Sequence, residues 1–343
     1  MNPKYMFPLV AVVFLMLLSY VGAQVMGLQY LFGVLIPYVA LITFIVFFAR
    51  RVMCWARSAV PFRIPTTCGQ QKSLSWIKQN KIDNPNNAIG VVARMALEIL
   101  CFRSLFRNTK NALSEGKTIT HSWEIWLWAF ALAFHYSFLV VLLRHMRFFL
   151  EPVPACVGML EFLDGFMRVE FVDSFIQIGL PGLFLSGLVL VAATVFLLLR
   201  RILIPQVRYI SLASDFFPLF LIIAIAGSGI FMRYVAKVDI VGIKELAIGL
   251  VTFHPVISEN ISGAFYIHIF LVSVLLAYFP FSKLMHLAGV FLSPTRNLPN
   301  NTRAKRHINP WDYPVKIHTY DEYEDEFREK MIEAGLPVEK ELT

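Results

Sequence analysis

Six apolar runs, each long enough to cross about 30 Å of hydrocarbon as a helix, decide what this chain can fold into. They cover about Phe7–Ala23, Tyr30–Phe48, Ile125–Phe149, Phe175–Leu199, Phe216–Met232 and Ile261–Phe291. Composition agrees: 57% of the residues are hydrophobic, 14% aromatic and only 16% charged, against roughly half apolar in a soluble domain. The expected fold class is an all-α integral membrane protein, a six-helix transmembrane bundle. Only Lys4 precedes the first run and a second run follows closely, so the first is read as a span and not as a cleaved signal. No internal repeat or low-complexity stretch is evident.

Lys and Arg next to the helix ends set the expected orientation. The link Gln24–Gln29 is uncharged, whereas the segment after the second run carries Arg50, Arg51, Arg57, Arg63, Lys72, Lys78, Lys81, Arg94, Arg103, Arg107, Lys110 and Lys117. Arg200, Arg201 and Arg208 follow the fourth run, and Arg296, Arg303, Lys305 and Arg306 follow the sixth. These segments are therefore expected on the cytoplasmic side of a prokaryotic cell membrane, with both termini inside. The net charge of +8 is accounted for by this topology and by anionic lipid, and lends nothing to nucleic-acid binding. The chain divides into helices 1 and 2 (1–50), a cytoplasmic segment (51–122), a four-helix core (123–292) and a cytoplasmic tail (293–343).

Cys54, Cys68 and Cys101 fall in the cytoplasmic segment and Cys156 in an outer loop, and no two form a C-x-x-C pair. Neither an iron–sulfur centre nor a disulfide framework is indicated, and all four read as ordinary thiols.

Histidine is the residue type that carries chemistry here. His135 and His145 lie ten residues apart in the third run, and His268 and His286 eighteen apart in the sixth. Ionisable groups are costly in a bilayer, so four of them in two segments mark a buried site. With the third helix running outward and the sixth inward, His145 meets His268 near the outer face and His135 meets His286 nearer the inner one. The two spacings correspond to roughly 15 Å and 27 Å along a helix, a mismatch that helix tilt and a kink at Pro280 are expected to absorb. Eighteen residues is also five helical turns, which places His268 and His286 on one face.

Each level thus offers one imidazole from each of two facing helices. Zinc and non-haem iron gather several ligands in one cluster, whereas this pattern suits the two axial ligands of a planar macrocycle inside a bundle. Two haem b sites between helices 3 and 6 are expected, with His135, His145, His268 and His286 as iron ligands. Interhelical hydrogen bonding or a proton relay is the plainer alternative. Lys283, one turn before His286, and Arg144 and Arg147, flanking His145, are candidate partners of haem propionates, with snorkelling as the other reading of Lys283. Arg233 also lies at an outer helix end. Gly227 and Gly229 allow close backbone approach to a flat cofactor or ordinary helix packing. His121, His254, His307 and His318 fall outside the spans.

The paired histidine spacing resembles the cytochrome b (gamma) subunit of respiratory nitrate reductase over the second to sixth helices. The stretch PFRIPTTCGQQKSLSWIKQNKIDNP, Pro61–Pro85, resembles the DsrM-type cytochrome b of the sulfite-reduction-associated Dsr membrane complex, and the related subunit of heterodisulfide-reductase-like menaquinol-oxidising complexes. The resemblance implies His145 and His268 on an outer haem b and His135 and His286 on an inner one. It also implies menaquinone as a diffusible redox partner and a cytoplasmic heterodisulfide-reductase-like iron–sulfur subunit. Further implied partners are a haem-free membrane subunit, an extracytoplasmic multihaem cytochrome c and a ferredoxin-like subunit. The extra first helix departs from the nitrate reductase pattern, so no quinone-site or catalytic residue is carried over.

The expected activity is that of an electron-transfer subunit of a menaquinol-linked oxidoreductase. A haem-free transporter would show repeat symmetry or broken helices in matching halves; a haem-bearing anchor without quinone turnover is a third reading. In the polar parts, Asn86–Arg107 has Ile89, Val92, Met95, Ala96, Ile99 and Phe102 at helical spacing and reads as an interfacial amphipathic helix, or as a docking site. In the tail, Asp321–Ala334 is helix-like with Gly335 as its cap. Trp311, Tyr313 and Tyr320 point to the tail resting on a partner.

Overall fold

The computed structural model describes residues 3–60, 69–114, 118–166, 170–173, 176–179, 183–236, 238–303, 308, 314 and 316–339. Its principal helices are α1 (Pro3–Tyr20), α2 (Ile36–Ala56), α3 (Ala88–Cys101), α4 (Ile125–His145), α5 (Ala155–Asp164), α6 (Leu185–Leu203), α7 (Ala213–Phe231), α8 (Ile240–Thr252), α9 (Gly263–Tyr278) and α10 (Tyr320–Glu333). With their terminal turns, six are long and apolar enough to cross a membrane: Pro3–Val25, Leu31–Ala56, Ile125–Phe148, Leu185–Leu203, Ala213–Ala236 and Gly263–Phe281. The protein is a multi-pass membrane protein, mostly helical.

Two of the expected spans are shorter than the apolar runs that announced them. The fourth helix begins at Leu185 and not near Phe175, because Gly165–Phe166 pairs with Leu183–Phe184 and Glu170–Asp173 with Ile176–Gly179 as extended chain. Gly179, Pro181 and Gly182 disfavour helical continuity there. The sixth helix stops at Tyr278 and not at Phe291. Pro280 has no amide to donate and disfavours helical backbone before it, and the chain continues as tight turns, Phe279–Phe281 and Lys283–Met285, then the short helix His286–Gly289.

Nor is the fold wholly α. Strand β1 (Thr109–Ser114) pairs antiparallel with β2 (Thr118–Trp123), Thr109 opposite Trp123 and Ser114 opposite Thr118. The β-branched run Thr118, Ile119, Thr120 favours extended backbone over helix.

Lipid offers apolar side chains no hydrophobic gain for leaving it, so the spans associate through packing and polar contacts. Val12, Leu221 and Leu271 form a buried seam between α1, α7 and α9. A second cluster joins Ala23, Phe32, Val34, Ile243, Leu246, Ile261, Phe265, Tyr266 and Phe270, with Phe32 edge-on to Phe270 at 5.2 Å. Hydroxyls inside the spans bond back to their own helices: Thr194 Oγ1 donates to Leu190 O at 2.6 Å and Ser273 Oγ to Ile269 O at 2.7 Å. Arg200 pairs with Glu124 at 2.6 Å, tying the C-terminal end of α6 to the residue before α4.

The amphipathic helix expected over Asn86–Arg107 is present as the shorter α3. Asn87 Oδ1 caps its start by accepting from Gly90 N at 2.8 Å, and Phe102, at φ 50°, ends it. In the tail, Thr319 and Glu322 bond each other's amides as a capping box for α10, and Gly335 at φ 68° closes it. Tyr320 donates to Pro337 O at 3.2 Å. Cys68, His307, Trp311 and Tyr313 lie outside the described residues.

Candidate cofactor site

His145 is the last residue of α4 and His268 lies in the second turn of α9; their rings stand nearly parallel, 13° apart, with centroids 6.3 Å apart. His135, in the middle of α4, faces His286 with centroids 5.9 Å apart and rings at 80°. We call these the upper and lower pairs, a label that implies no membrane side. The upper rings are half-buried and the lower ones exposed within this chain. His286 reaches its position from the short helix after the break. The five-turn, one-face argument for His268 and His286 therefore does not describe the chain.

All four rings use Nδ1 in a hydrogen bond. His135 Nδ1 lies 2.7 Å from Ala131 O, His145 Nδ1 2.6 Å from Val141 O and His286 Nδ1 2.9 Å from Lys283 O. A main-chain carbonyl can only accept, so these rings carry their proton on Nδ1 and leave the Nε2 lone pair free. His268 differs. Its Nδ1 meets Ser228 Oγ of α7 at 2.9 Å, and that hydroxyl donates to Ile225 O at 2.9 Å, so its oxygen accepts from the imidazole. Gly229 makes room for this ring, since a Cβ there would stand 3.3 Å from His268 Cε1. At Gly227 a Cβ would meet nothing within 4 Å.

This donor set can be tested against a metal macrocycle. Two imidazoles bound through Nε2 at about 2 Å on opposite sides of one iron, each with its ring centre about 1 Å further out, have centroids about 6 Å apart. Both pairs meet that separation. Among the described residues no group of three or more His, Cys, Asp or Glu is placed to hold a metal ion, so a clustered zinc or non-haem iron centre is not offered.

Three of the cations named with the histidines have carboxylate partners within the chain. Lys283 pairs with Asp215 at 2.6 Å, Arg144 with Asp164 at 2.5 Å and Arg147 with Glu161 at 2.8 Å. Arg144 also donates to Ser186 Oγ at 3.0 Å and lies over the Phe184 ring, as does Arg233. Asp215, at the edge of the fifth apolar run, is a visible signal of this pairing. Ser228 and Phe102 carry none, because a serine or phenylalanine in such segments is ordinary. Yet Phe102 stands edge-on to His135 with centroids 4.8 Å apart.

Residues 91–300, which contain all four histidines, match the nitrate reductase gamma subunit family, and the chain belongs to that family. It is 48% identical over 289 residues to the Hdr-like menaquinol oxidoreductase cytochrome b-like subunit of Archaeoglobus fulgidus, with 82% of this chain and 83% of that protein aligned. The protein of the same description from Archaeoglobus profundus is 43% identical over 284 residues, 81% of each chain. The resemblance drawn from histidine spacing holds at the level of this family.

Proposed function

We infer that this chain is a dihaem cytochrome b subunit of DsrM type. It carries electrons between menaquinol and a cytoplasmic heterodisulfide-reductase-like iron–sulfur subunit in dissimilatory sulfur metabolism. The observation that carries the reading is the repeated geometry: two histidine pairs, at 6.3 Å and 5.9 Å, each ring with Nδ1 engaged in a hydrogen bond. The relatives' names supply menaquinol as the substrate class.

His145 and His268 would hold the upper haem b, and His135 and His286 the lower. Haem bound there supplies reversible one-electron chemistry. The chain supplies the rest. The carbonyls of Ala131, Val141 and Lys283, and Ser228 Oγ, keep the Nδ1 protons in place, which orients each ring and raises its basicity. By the distribution of Lys and Arg, the lower pair lies towards the cytoplasm, where the iron–sulfur subunit would dock. By resemblance, the complex also includes a haem-free membrane subunit, an extracytoplasmic cytochrome c and a ferredoxin-like subunit.

The test is haem content and a reduced-minus-oxidised spectrum of the purified protein. Two haem b per chain are expected, with reduction by a menaquinol analogue. A colourless protein rejects the reading in favour of a histidine proton relay, and two haems that quinol does not reduce leave a membrane anchor.

A further inference from the structure

The lower pair poses a mechanical question. His135 sits on a long helix, but His286 follows a helix break, and the short helix that bears it, His286–Gly289, is too small to be stable alone. Ties beyond its own short helix must fix one ring against the other.

Upstream of His286 the chain is tied to α2 and α7, with Phe279 and Phe281 also packed on the rings of Phe44, Phe47 and Phe48. Arg51 donates to Pro280 O at 2.6 Å, and Lys283 pairs with Asp215. Downstream, the chain is caught by α3. Arg94, a mid-helix residue only 7% exposed, donates to three main-chain carbonyls: Asp83 O at 3.1 Å, Leu298 O at 3.1 Å and Arg296 O. One turn on, Glu98 pairs with the Arg296 guanidinium. Just before α3, Pro85 O accepts from Asn300 N at 2.7 Å, and buried Asn84 accepts through Oδ1 from the Asn300 amide at 3.0 Å. The segment that follows His286 is therefore stitched to the first half of α3.

The other end of α3 is stitched to the helix that bears His135. Trp128 Nε1 donates to Cys101 O at 2.8 Å and Tyr136 OH to Leu100 O at 2.9 Å, so two side chains of α4 satisfy carbonyls that the helix end leaves free. Phe102, next in sequence, is held in the left-handed conformation and lies edge-on to His135.

We propose that α3 is a brace for the lower histidine pair. Its Arg94 half holds the chain after His286, its Leu100–Phe102 end holds the helix bearing His135, and the separation of the two rings is set across its length. Arg94 is then a positioning residue for a centre that it does not touch. The upper pair has no such dependence, because α4 and α9 carry both of its histidines directly. A partner or lipid contact that shifts α3 would be felt at the lower centre and not at the upper one. This inference rests on the dihaem reading.

The experiment compares wild type, Arg94→Ala and Phe102→Gly as full chains in membranes, with His286→Ala and His268→Ala assigning the lower and upper spectral signals. Readouts are haem per chain and a redox titration of both signals. Phe102→Gly keeps the left-handed backbone accessible while removing the ring. Arg94→Ala is expected to reduce haem from two per chain towards one, or to shift the lower signal's midpoint potential, with the upper unchanged. Phe102→Gly is expected to shift the lower signal alone. Unchanged lower signals in both variants overturn the brace, as does an equal change at both levels, which would mark α3 as a general folding element. Wild type carrying fewer than two haems overturns the dihaem reading itself, and the brace with it.

Discussion

The upper and lower histidine pairs solve one geometric problem by different means. The upper rings are nearly parallel and sit on two uninterrupted helices, with α7 adding Ser228 and Gly229 as a seat for one of them. The lower rings are close to perpendicular, more exposed, and one of them hangs from a segment that has left its helix. The contrast teaches that a bundle by itself fixes only the side chains that its long helices carry. A side chain beyond a helix break needs ties from elsewhere, and here those come from α2, α7 and the α3 segment.

The largest effects should come from removing ligands. His268→Ala is expected to abolish one haem and leave the other, and His286→Ala the reverse, as read by haem per chain; loss of both from either variant would break the independence of the two levels. Next is Gly229→Ala. Its new methyl would press on the His268 ring at 3.3 Å, an overpacking that costs about 1–3 kcal/mol. A displaced upper signal with an intact lower one is expected, visible in the low-temperature spectrum.

Ser228→Ala should act more gently. Loss of an outer-shell hydrogen bond to a ligating imidazole costs about 10–100-fold in hold on the metal, and a less basic imidazole raises the midpoint potential. A redox titration should show the upper centre moving upward alone, with Ser228→Thr close to wild type.

The smallest effect is one of pH and belongs to the lower side. Burial raises the pKa of Asp83, but hydrogen bonds from Arg103, at 3.1 Å, and from Arg107, with their charges, outweigh it and hold the carboxyl below its ordinary 3.8. A carboxyl depressed in the folded state stabilises it above the unfolded value near 3.8, and that contribution is lost as pH falls through the lower, folded value. Thermal stability of the α3 region should therefore fall on acidification below about pH 4 in wild type. It should depend less on pH in Asp83→Asn, as followed by hydrogen exchange.

Much of this is legible in the order of the amino acids. Six spans, the paired histidines and the tail helix follow from apolar run length, from the rarity of ionisable groups in lipid and from capping residues such as Thr319 and Gly335. Harder to read is where an apolar run ceases to be helix. Phe175–Phe184 and Phe281–Phe291 continue the apolar runs they adjoin, and hydropathy does not register backbone geometry. Gly179, Pro181, Gly182 and Pro280 are the warning. The partners of Lys283, Arg144 and Arg147 are equally hidden, since Asp215, Asp164 and Glu161 meet them only through tertiary contact.

The break at Pro280 also bears on the order in which the protein is made. Everything needed for the upper pair has been synthesised once α9 is complete, whereas the lower pair lacks its last tie until Asn300 has emerged from the ribosome and met Pro85 and Asn84. The two pairs are thus completed in sequence, the lower one only after the polar chain beyond the Pro280 break has been made.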